Sequence, residues 1–350
     1  MAQEEQRDRW SAPEGWPEEP PSIAEQSEGW PTDADHAPPT GTGREPAAGD
    51  SASPSEPIHG FETFESSTPS PLSHQYEIPA SQERIPNFGH LMVLGTLLLF
   101  GVLFASLVTQ FALHRQMFGV NTVQKAINDI HYTLGSEALL YVFTLAASLV
   151  VFPFLWHKGF FAGIQWNFAT ALRLRWRLVS AAFSCLVLAG ASSIISPGPT
   201  NAPIDQIFRA PGAAWLLFVF GVTFAPFFEE TFFRGFLLPA LCTAVDWCGE
   251  TIAHRPRRPL GPNGHPQWSI GAMALGAIAT SIPFAMIHAA QTGYSAGPFV
   301  LLAGVSLVLC AVRFATQSLA SSVLVHACYN LILFSIMLIG TSGFKHLDKM

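Results

Sequence analysis

The sequence after residue 90 is a succession of long apolar stretches, and this pattern constrains the fold more than any other feature of the chain. Seven stretches can be delimited, at about 91–113, 137–156, 178–196, 214–244, 269–290, 297–315 and 319–340. Each is close to or above the ~20 residues that an α-helix needs to cross a bilayer. In lipid the backbone must satisfy its own hydrogen bonds, so spanning stretches of this length are helical. The sequence therefore predicts an all-α, polytopic transmembrane helical bundle.

The fourth apolar stretch differs from the others in its length. Residues 214–244 exceed what a straight crossing needs, which permits either a tilt or a break inside the membrane. Pro226, Gly235 and Pro239 are the candidate break points, because proline and glycine interrupt or weaken a helix. We therefore expect about seven spans, or eight if this stretch divides in two.

The first 90 residues have a composition that does not suit a packed domain. They contain 17 acidic residues, four arginines and 14 of the 27 prolines, whereas residues 91–350 contain eight acidic and 14 basic residues. A segment with so much charge and so little apolar surface cannot compensate the entropy lost on ordering. We predict a disordered, acidic, proline-rich tail over 1–88 and a multi-pass membrane domain over 89–345.

The lysines and arginines after the tail are distributed unevenly between the two sides of the predicted bundle. If the tail is cytoplasmic, eight of them fall in cytoplasmic loops and five on the opposite side. An excess of basic residues marks the cytoplasmic side, so we expect a protein of the cell membrane with a cytoplasmic N-terminus. The bilayer is an expected partner. Nucleic acid is not, because no nucleic-acid-binding signature occurs.

Two of the eight acidic residues after position 90 are adjacent, inside the fourth apolar stretch. A charge at the centre of a bilayer costs about 2.5–3.5 kcal/mol on insertion scales, so such residues usually serve a function. Glu230 and Arg234 are four residues apart and can pair on one helix face, whereas Glu229 is rotated by about 100°. We expect Arg234 to neutralise Glu230 and Glu229 to face a cavity as a base. The alternative is a purely structural Glu–Arg cluster.

Two later stretches each carry a polar pair with the same four-residue spacing. Phe284 and His288 share a face at the end of the fifth stretch, and His326 and Asn330 share a face in the seventh. Strong polar groups in spanning helices point into the bundle, so we expect these side chains to converge with the glutamates. Taken singly, each histidine could instead be a hydrogen-bonded packing residue.

Two chemistries fit a cluster of Glu229, His288, His326 and Asn330. In the first, Glu229 and His288 activate a water molecule, while His326 and Asn330 donate hydrogen bonds to the developing oxyanion. In the second, Glu229, His288 and His326 bind Zn²⁺ and leave a fourth position for water. Both reactions hydrolyse a peptide bond. The His-Glu-x-x-His signature of zinc proteases is absent, so the zinc alternative lacks its strongest signature, and zinc stays the one cofactor to consider.

The three motifs, in this order on separate apolar stretches, resemble those of a known family. Glu-Glu-x-x-x-Arg at 229–234, Phe-x-x-x-His at 284–288 and His-x-x-x-Asn at 326–330 are similar to the motifs of the CPBP intramembrane proteases. These include type II CAAX prenyl proteases and bacteriocin-processing or abortive-infection proteins. The resemblance covers about 178–340, the expected protease-like core, and leaves the tail outside.

The resemblance implies a role for each motif residue. Glu229 matches the catalytic glutamate of the family, His288 its water-activating partner, and His326 with Asn330 the oxyanion-side pair. The supporting residues are Glu230, Arg234 and Phe284. A metal-independent glutamate protease suits this residue set better than a metalloprotease, and the implied substrate is a peptide or protein at the membrane, such as a prenylated C-terminus or a leader peptide.

Two other classes of protein could carry the same residues. Glu and His side chains in membranes also relay protons in transporters, and a helical bundle without catalytic activity could serve as a scaffold for partners. Loss of proteolysis on changing Glu229 to Gln, with the fold retained, would distinguish the protease from both.

The depths of the three motifs in the membrane conflict with straight helices. With a rise of 1.5 Å per residue, Glu229 would lie about 25 Å and His288 about 31 Å from the face that carries residues 249–268, but His326 only about 12 Å. The side chains can meet only if the fourth stretch breaks, if a loop dips into the membrane, or if the topology differs. Broken backbone at depth is tolerated where it lines a cavity.

Overall fold

The computed structural model describes residues 83–345, apart from 197, 199–201, 209–211 and 262–263. Of the predicted tail over 1–88, residues 1–82 lie outside the described residues. The described part is helical and contains no β-strand, only an isolated bridge between Leu260 and Pro266. The predicted all-α fold is confirmed.

Within the described residues, seven helical segments are long and apolar enough to cross a membrane, which confirms the predicted multi-pass bundle. Six are single helices: α1 (Phe88–His114), α3 (Ile130–Trp156), α6 (Arg175–Ile195), α11 (Ile270–Ile287), α12 (Ala296–Thr316) and α13 (Leu319–Gly340). The connections contain a 3-10 turn (Met117–Gly119) and the short helices α2 (Val123–Ile127), α4 (Phe160–Gly163), α5 (Phe168–Arg173) and α7 (Pro203–Phe208).

The seventh segment, the 40-residue stretch Ala213–Ile252, is not one regular helix. Its parts are α8 (Ala213–Val222), α9 (Phe224–Glu230), a π-helical segment (Thr231–Leu237) and α10 (Leu238–Ile252). α8 ends at Thr223, whose ψ of −69° departs from regular helix. The π-helical segment contains Gly235, one of the predicted break points, and π-helical turns occur frequently at functional sites. The adjacent glutamates lie at the end of α9, directly before it.

Aromatic side chains fill the space between α3, α4 and the π-helical segment. Phe152 and Trp156 of α3 pack on Phe160 and Phe236, with ring centroids 4.6–6.3 Å apart. Gly163 lies so close to the Trp156 ring that a Cβ at this position would collide with it. Aromatic contacts of this kind add to the energy of simple burial. The cluster fixes α3 against the segment that follows the two glutamates.

The position at which α13 begins removes the conflict of depths. The backbone nitrogen of Leu319 donates to the carbonyl of Gln165 at 3.0 Å, and its Cδ2 lies 3.4 Å from where a Gly235 Cβ would be. α13 therefore begins level with Gly235. From this level, Glu229 is six residues away and His326 seven, or about 9 Å and about 10 Å of helix. The expected mismatch of depths between Glu229 and His326 is therefore absent.

Candidate active site

The predicted pair of Glu230 and Arg234 is present and fully buried. Arg234 Nη1 donates to Glu230 Oε1 at 2.9 Å, and neither side chain is exposed. Arg234 Nη2 also donates to the carbonyl and to the hydroxyl of Ser306, at 3.0 and 2.7 Å. Charge-assisted bonds of this kind are stronger than those between neutral groups. The pair therefore connects the π-helical segment firmly to α12.

His326 is held by the same carboxylate. Its Nδ1 lies 2.9 Å from Glu230 Oε1, and its Nε2 lies 3.8 Å from Glu229 Oε2. An ionised carboxylate only accepts hydrogen bonds, so the proton on Nδ1 points to Glu230. The free ring nitrogen, Nε2, faces Glu229.

His288 presents the equivalent nitrogen from another helix. It caps the C-terminus of α11, and its Nδ1 lies 2.9 Å from the carbonyl oxygen of Phe284. A carbonyl only accepts, which assigns the proton to Nδ1 and leaves a lone pair on Nε2 of the neutral ring. That Nε2 lies 3.9 Å from Glu229 Oε1. Two imidazoles from α11 and α13 thus face the two oxygens of one carboxylate.

The Glu229 side chain is 12% exposed and its Oε2 is buried without a hydrogen-bond partner among the described residues. Its distances of 3.8 and 3.9 Å to the two Nε2 atoms exceed the range of a direct hydrogen bond. Separations of this size are spanned by a bridging water. The arrangement can therefore hold a solvent molecule between one acceptor carboxylate and two imidazoles.

Phe284 lies at the centre of the supporting groups. Its buried ring has the Arg234 guanidinium 4.5 Å from its centroid and the Phe233 ring 5.2 Å away. The rings of His288 and His326 lie 5.2 and 5.9 Å from it. A cation over an aromatic face is attracted by the ring quadrupole. Phe284 therefore fixes the spacing between the buried ion pair and both imidazoles.

Asn330 is attached to a different part of the bundle. Its Nδ2 donates to the carbonyl of Gly221 at 2.7 Å, near the end of α8. This carbonyl lies where α8 is interrupted at Thr223, so the amide satisfies a backbone group at the break. The structure brings together Glu229, His288 and His326, and no described hydrogen bond joins Asn330 to these three. One of its two amide hydrogens remains available.

The predicted zinc ligands do not form a metal site in this arrangement. Within the described residues, no group of three His, Cys, Asp or Glu side chains could hold a metal ion. Zinc ligands must approach one point to about 2.0–2.2 Å, and Glu229, His288 and His326 are not grouped in this way.

Sequence reasoning missed two residues of α3 beside the site. The Tyr141 hydroxyl donates to Glu137 Oε1 at 2.7 Å, and its ring stacks on Phe228 with centroids 4.6 Å apart. Both Tyr141 and Glu137 are within electrostatic reach of Glu229. The available signal was that Glu137 is one of few acidic residues in the apolar stretches, with Tyr141 four residues later on the same face.

A mainly apolar cavity of about 190 Å³ opens beside Glu229, between α1, α3 and the π-helical segment. Tyr141 and Phe233 line it, together with Thr144 and Ser148 of α3. The hydroxyls of Thr144 and Ser148 are buried and have no hydrogen-bond partner among the described residues. A buried polar group without a partner is costly, so these hydroxyls are suited to contact a molecule that enters the cavity.

The fold and the site define an integral, multi-pass membrane protein with a buried carboxylate–imidazole cluster. Residues 211–332 match a family model described as "Type II CAAX prenyl endopeptidase Rce1-like". This segment contains all seven residues of the three motifs, and the predicted resemblance to the CPBP proteases is confirmed. Over these residues the chain is therefore similar to a CAAX-type protease domain. Its match lies inside the predicted core of 178–340, whose bounds stay a prediction.

Searches among curated proteins and among solved structures gave no match.

Proposed function

We propose that this protein is an intramembrane endopeptidase in which Glu229 activates a water molecule to hydrolyse a peptide bond. One observation carries the proposal: the Glu229 carboxylate lies 3.8–3.9 Å from the Nε2 atoms of His288 and His326, each on a different helix. Acid–base partners must meet directly or through one water, and these distances satisfy that requirement.

In the attacking step, the water donates one hydrogen bond to Glu229 and the other to the lone pair on His288 Nε2. Glu229 takes the proton as the water oxygen attacks the carbonyl carbon of the substrate, and an oxyanion forms. The carboxylic acid then returns this proton to the leaving amine as the C–N bond breaks. Glu229 serves first as base and then as acid, so it is ionised again at the end of the reaction and no other proton donor is needed.

The oxyanion is stabilised by His326 and Asn330. In this step the His326 ring acts with a hydrogen on each of its two nitrogens. The ring then donates Nδ1–H to Glu230 and Nε2–H to the oxyanion, and Asn330 supplies its remaining amide hydrogen. Donors that are already oriented need no reorganisation during the reaction. Glu230 and Arg234 are positioning residues that hold His326.

The catalytic residues are proposed to act without a metal, as in a glutamate-type protease. Support comes from the sequence, which lacks the His-Glu-x-x-His signature of zinc proteases.

We also propose that the N-terminus is cytoplasmic and that the protein lies in the cell membrane, because the loops on this side carry the excess of basic residues. Cys248, exposed near the end of α10, provides a reporter. A membrane-impermeant thiol reagent should label it from the cytoplasmic side only, and labelling from the outside would reverse the orientation.

The first substrate to test is a peptide with a prenylated cysteine near its C-terminus, since the matching family model is named for prenyl endopeptidases. The apolar cavity beside Glu229, with a volume of about 190 Å³, offers a place for part of a hydrocarbon chain. We expect purified protein to cleave this peptide at least about tenfold faster, in kcat/KM, than the same peptide without the lipid, because burial of a long hydrocarbon contributes about 0.8 kcal/mol per CH₂. Equal values would remove the lipid from recognition, and cleavage of a leader peptide alone would change the substrate class.

A further inference from the structure

Arg313 is a buried cation that the proposed reaction does not use. It lies in the last turn of α12, and its side chain is 2% exposed. None of the ion pairs among the described residues includes it. A buried charge without an opposite charge is costly, so its surroundings should show how the charge is compensated.

The described hydrogen bonds of Arg313 satisfy only part of its guanidinium. Nη2 donates to Gln165 Oε1 at 2.6 Å, and Nε donates to the carbonyl of Arg234 at 3.4 Å. Both acceptors are neutral. A guanidinium has five N–H donors in a planar fork, and Nη1 makes no hydrogen bond to a described residue. The Arg313 guanidinium therefore has N–H groups that remain available to a further acceptor.

Arg313 lines a cavity on the side of the bundle that carries the α10–α11 loop. The cavity has a volume of about 260 Å³, and its polar lining consists of Gln165, Arg258, Gln267, Arg313 and Gln317. Every one of these side chains can donate a hydrogen bond through nitrogen. The volume is below the ~300–1,000 Å³ typical of pockets for drug-sized ligands, so the cavity suits a small group.

The electrostatic surroundings of the cavity are positive. Burial and the charges of Arg313 and Lys158 lower the pKa of His265, which lies in the same loop as Arg258. The carboxylates nearest in the chain are already engaged: Glu250 accepts from Arg84 at 2.6 Å and from the Arg258 backbone at 3.0 Å. Asp246 likewise accepts from the Ser269 backbone at 2.9 Å. No described carboxylate faces Arg313 at ion-pair distance.

We propose that the cavity at Arg313 binds a phosphate-type oxyanion, either free phosphate or the phosphate of a lipid headgroup. The planar fork of an arginine matches two oxygens of a phosphate, and amide donors around it complete the coordination. The anion supplies the negative charge that the described side chains do not. Because Arg313 also holds the Arg234 carbonyl, an occupied site stabilises the junction of the π-helical segment with the α12–α13 turn.

The test is the unfolding temperature of the purified, full-length protein in detergent. Inorganic phosphate, compared with chloride at equal ionic strength, and dioctanoyl phosphatidic acid, compared with dioctanoyl phosphatidylcholine, are the probes. We expect a saturable rise of about 2–4 °C with at least one phosphate probe. A response to phosphatidic acid alone assigns the site to a headgroup, and a response to inorganic phosphate assigns it to the free anion.

The variants separate this site from general anion binding. Arg313→Gln should abolish the rise, whereas Arg173→Gln, which removes an exposed arginine of α5, should keep it. If Arg313→Gln does not fold, Arg258→Gln at the exposed rim provides the second test. It should weaken binding, so that the probe concentration giving half of the temperature rise increases by about tenfold. A rise with neither probe, or a rise that survives in Arg313→Gln or is unchanged in Arg258→Gln, overturns the proposal.

Discussion

Replacing Glu229 with Gln is expected to lower the rate of peptide cleavage by about 10²–10⁴-fold while leaving the fold intact. The amide has nearly the same shape but cannot accept the proton of the attacking water. The Glu229 carboxylate makes no direct hydrogen bond to a described residue, so its loss should leave the unfolding temperature nearly unchanged. Initial rates on the prenylated peptide and thermal unfolding of the same preparation measure the two effects.

The adjacent Glu230 provides the matched comparison for this experiment. Glu230→Gln makes the same chemical change one residue later, but it removes the negative charge that pairs with Arg234 and accepts from His326. We expect it to reduce stability as well as activity. Unchanged cleavage by the Glu229→Gln protein would remove Glu229 from the mechanism, and a collapsed fold in that variant would favour a purely structural glutamate cluster.

Replacing Arg234 with Met is expected to destabilise the protein by about 3–5 kcal/mol, because it leaves the Glu230 carboxylate buried without its cation. The same variant also loses the two hydrogen bonds to Ser306. The free energy of unfolding in a denaturant titration measures the effect. Arg177→Met, at an exposed position of α6, is the control, and its change should stay within about 0.5 kcal/mol.

The double variant Glu230→Gln with Arg234→Met separates charge from packing. Removing both charges eliminates the uncompensated carboxylate, so the double variant should be more stable than Arg234→Met alone. If Arg234→Met costs no more than Arg177→Met, or if the second change gives no recovery, the ion pair does not have the role assigned here.

The spans and the facing pairs could be predicted because they depend on local periodicity. Apolar stretches of sufficient length give spanning helices, and a spacing of four residues puts Glu230 with Arg234, and Phe284 with His288, on one face. The convergence of the three motifs followed from the cost of polar groups in lipid. These inferences required no knowledge of how the helices are connected in space.

The relative depth of the helices could not be predicted in this way. The level of the α12–α13 turn is set by a long-range contact, the hydrogen bond from Leu319 to Gln165. No pattern around Leu319 indicates that it lies beside Gly235. The partner of Asn330 was equally hidden: Pro226 predicted a break nearby, but no pattern indicates that the Gly221 carbonyl beside the interruption at Thr223 accepts from Asn330.

The central claim is that Glu229, His288 and His326 gather around one water molecule. A high-resolution experimental structure of the wild-type protein, with anomalous data at the zinc edge, tests it most directly. The expected result is a density peak about 2.6–3.2 Å from the carboxylate and from at least one Nε2, without anomalous signal. A peak at about 2.0–2.2 Å from all three residues with zinc signal, or the His326 ring turned away from Glu229, would contradict the account.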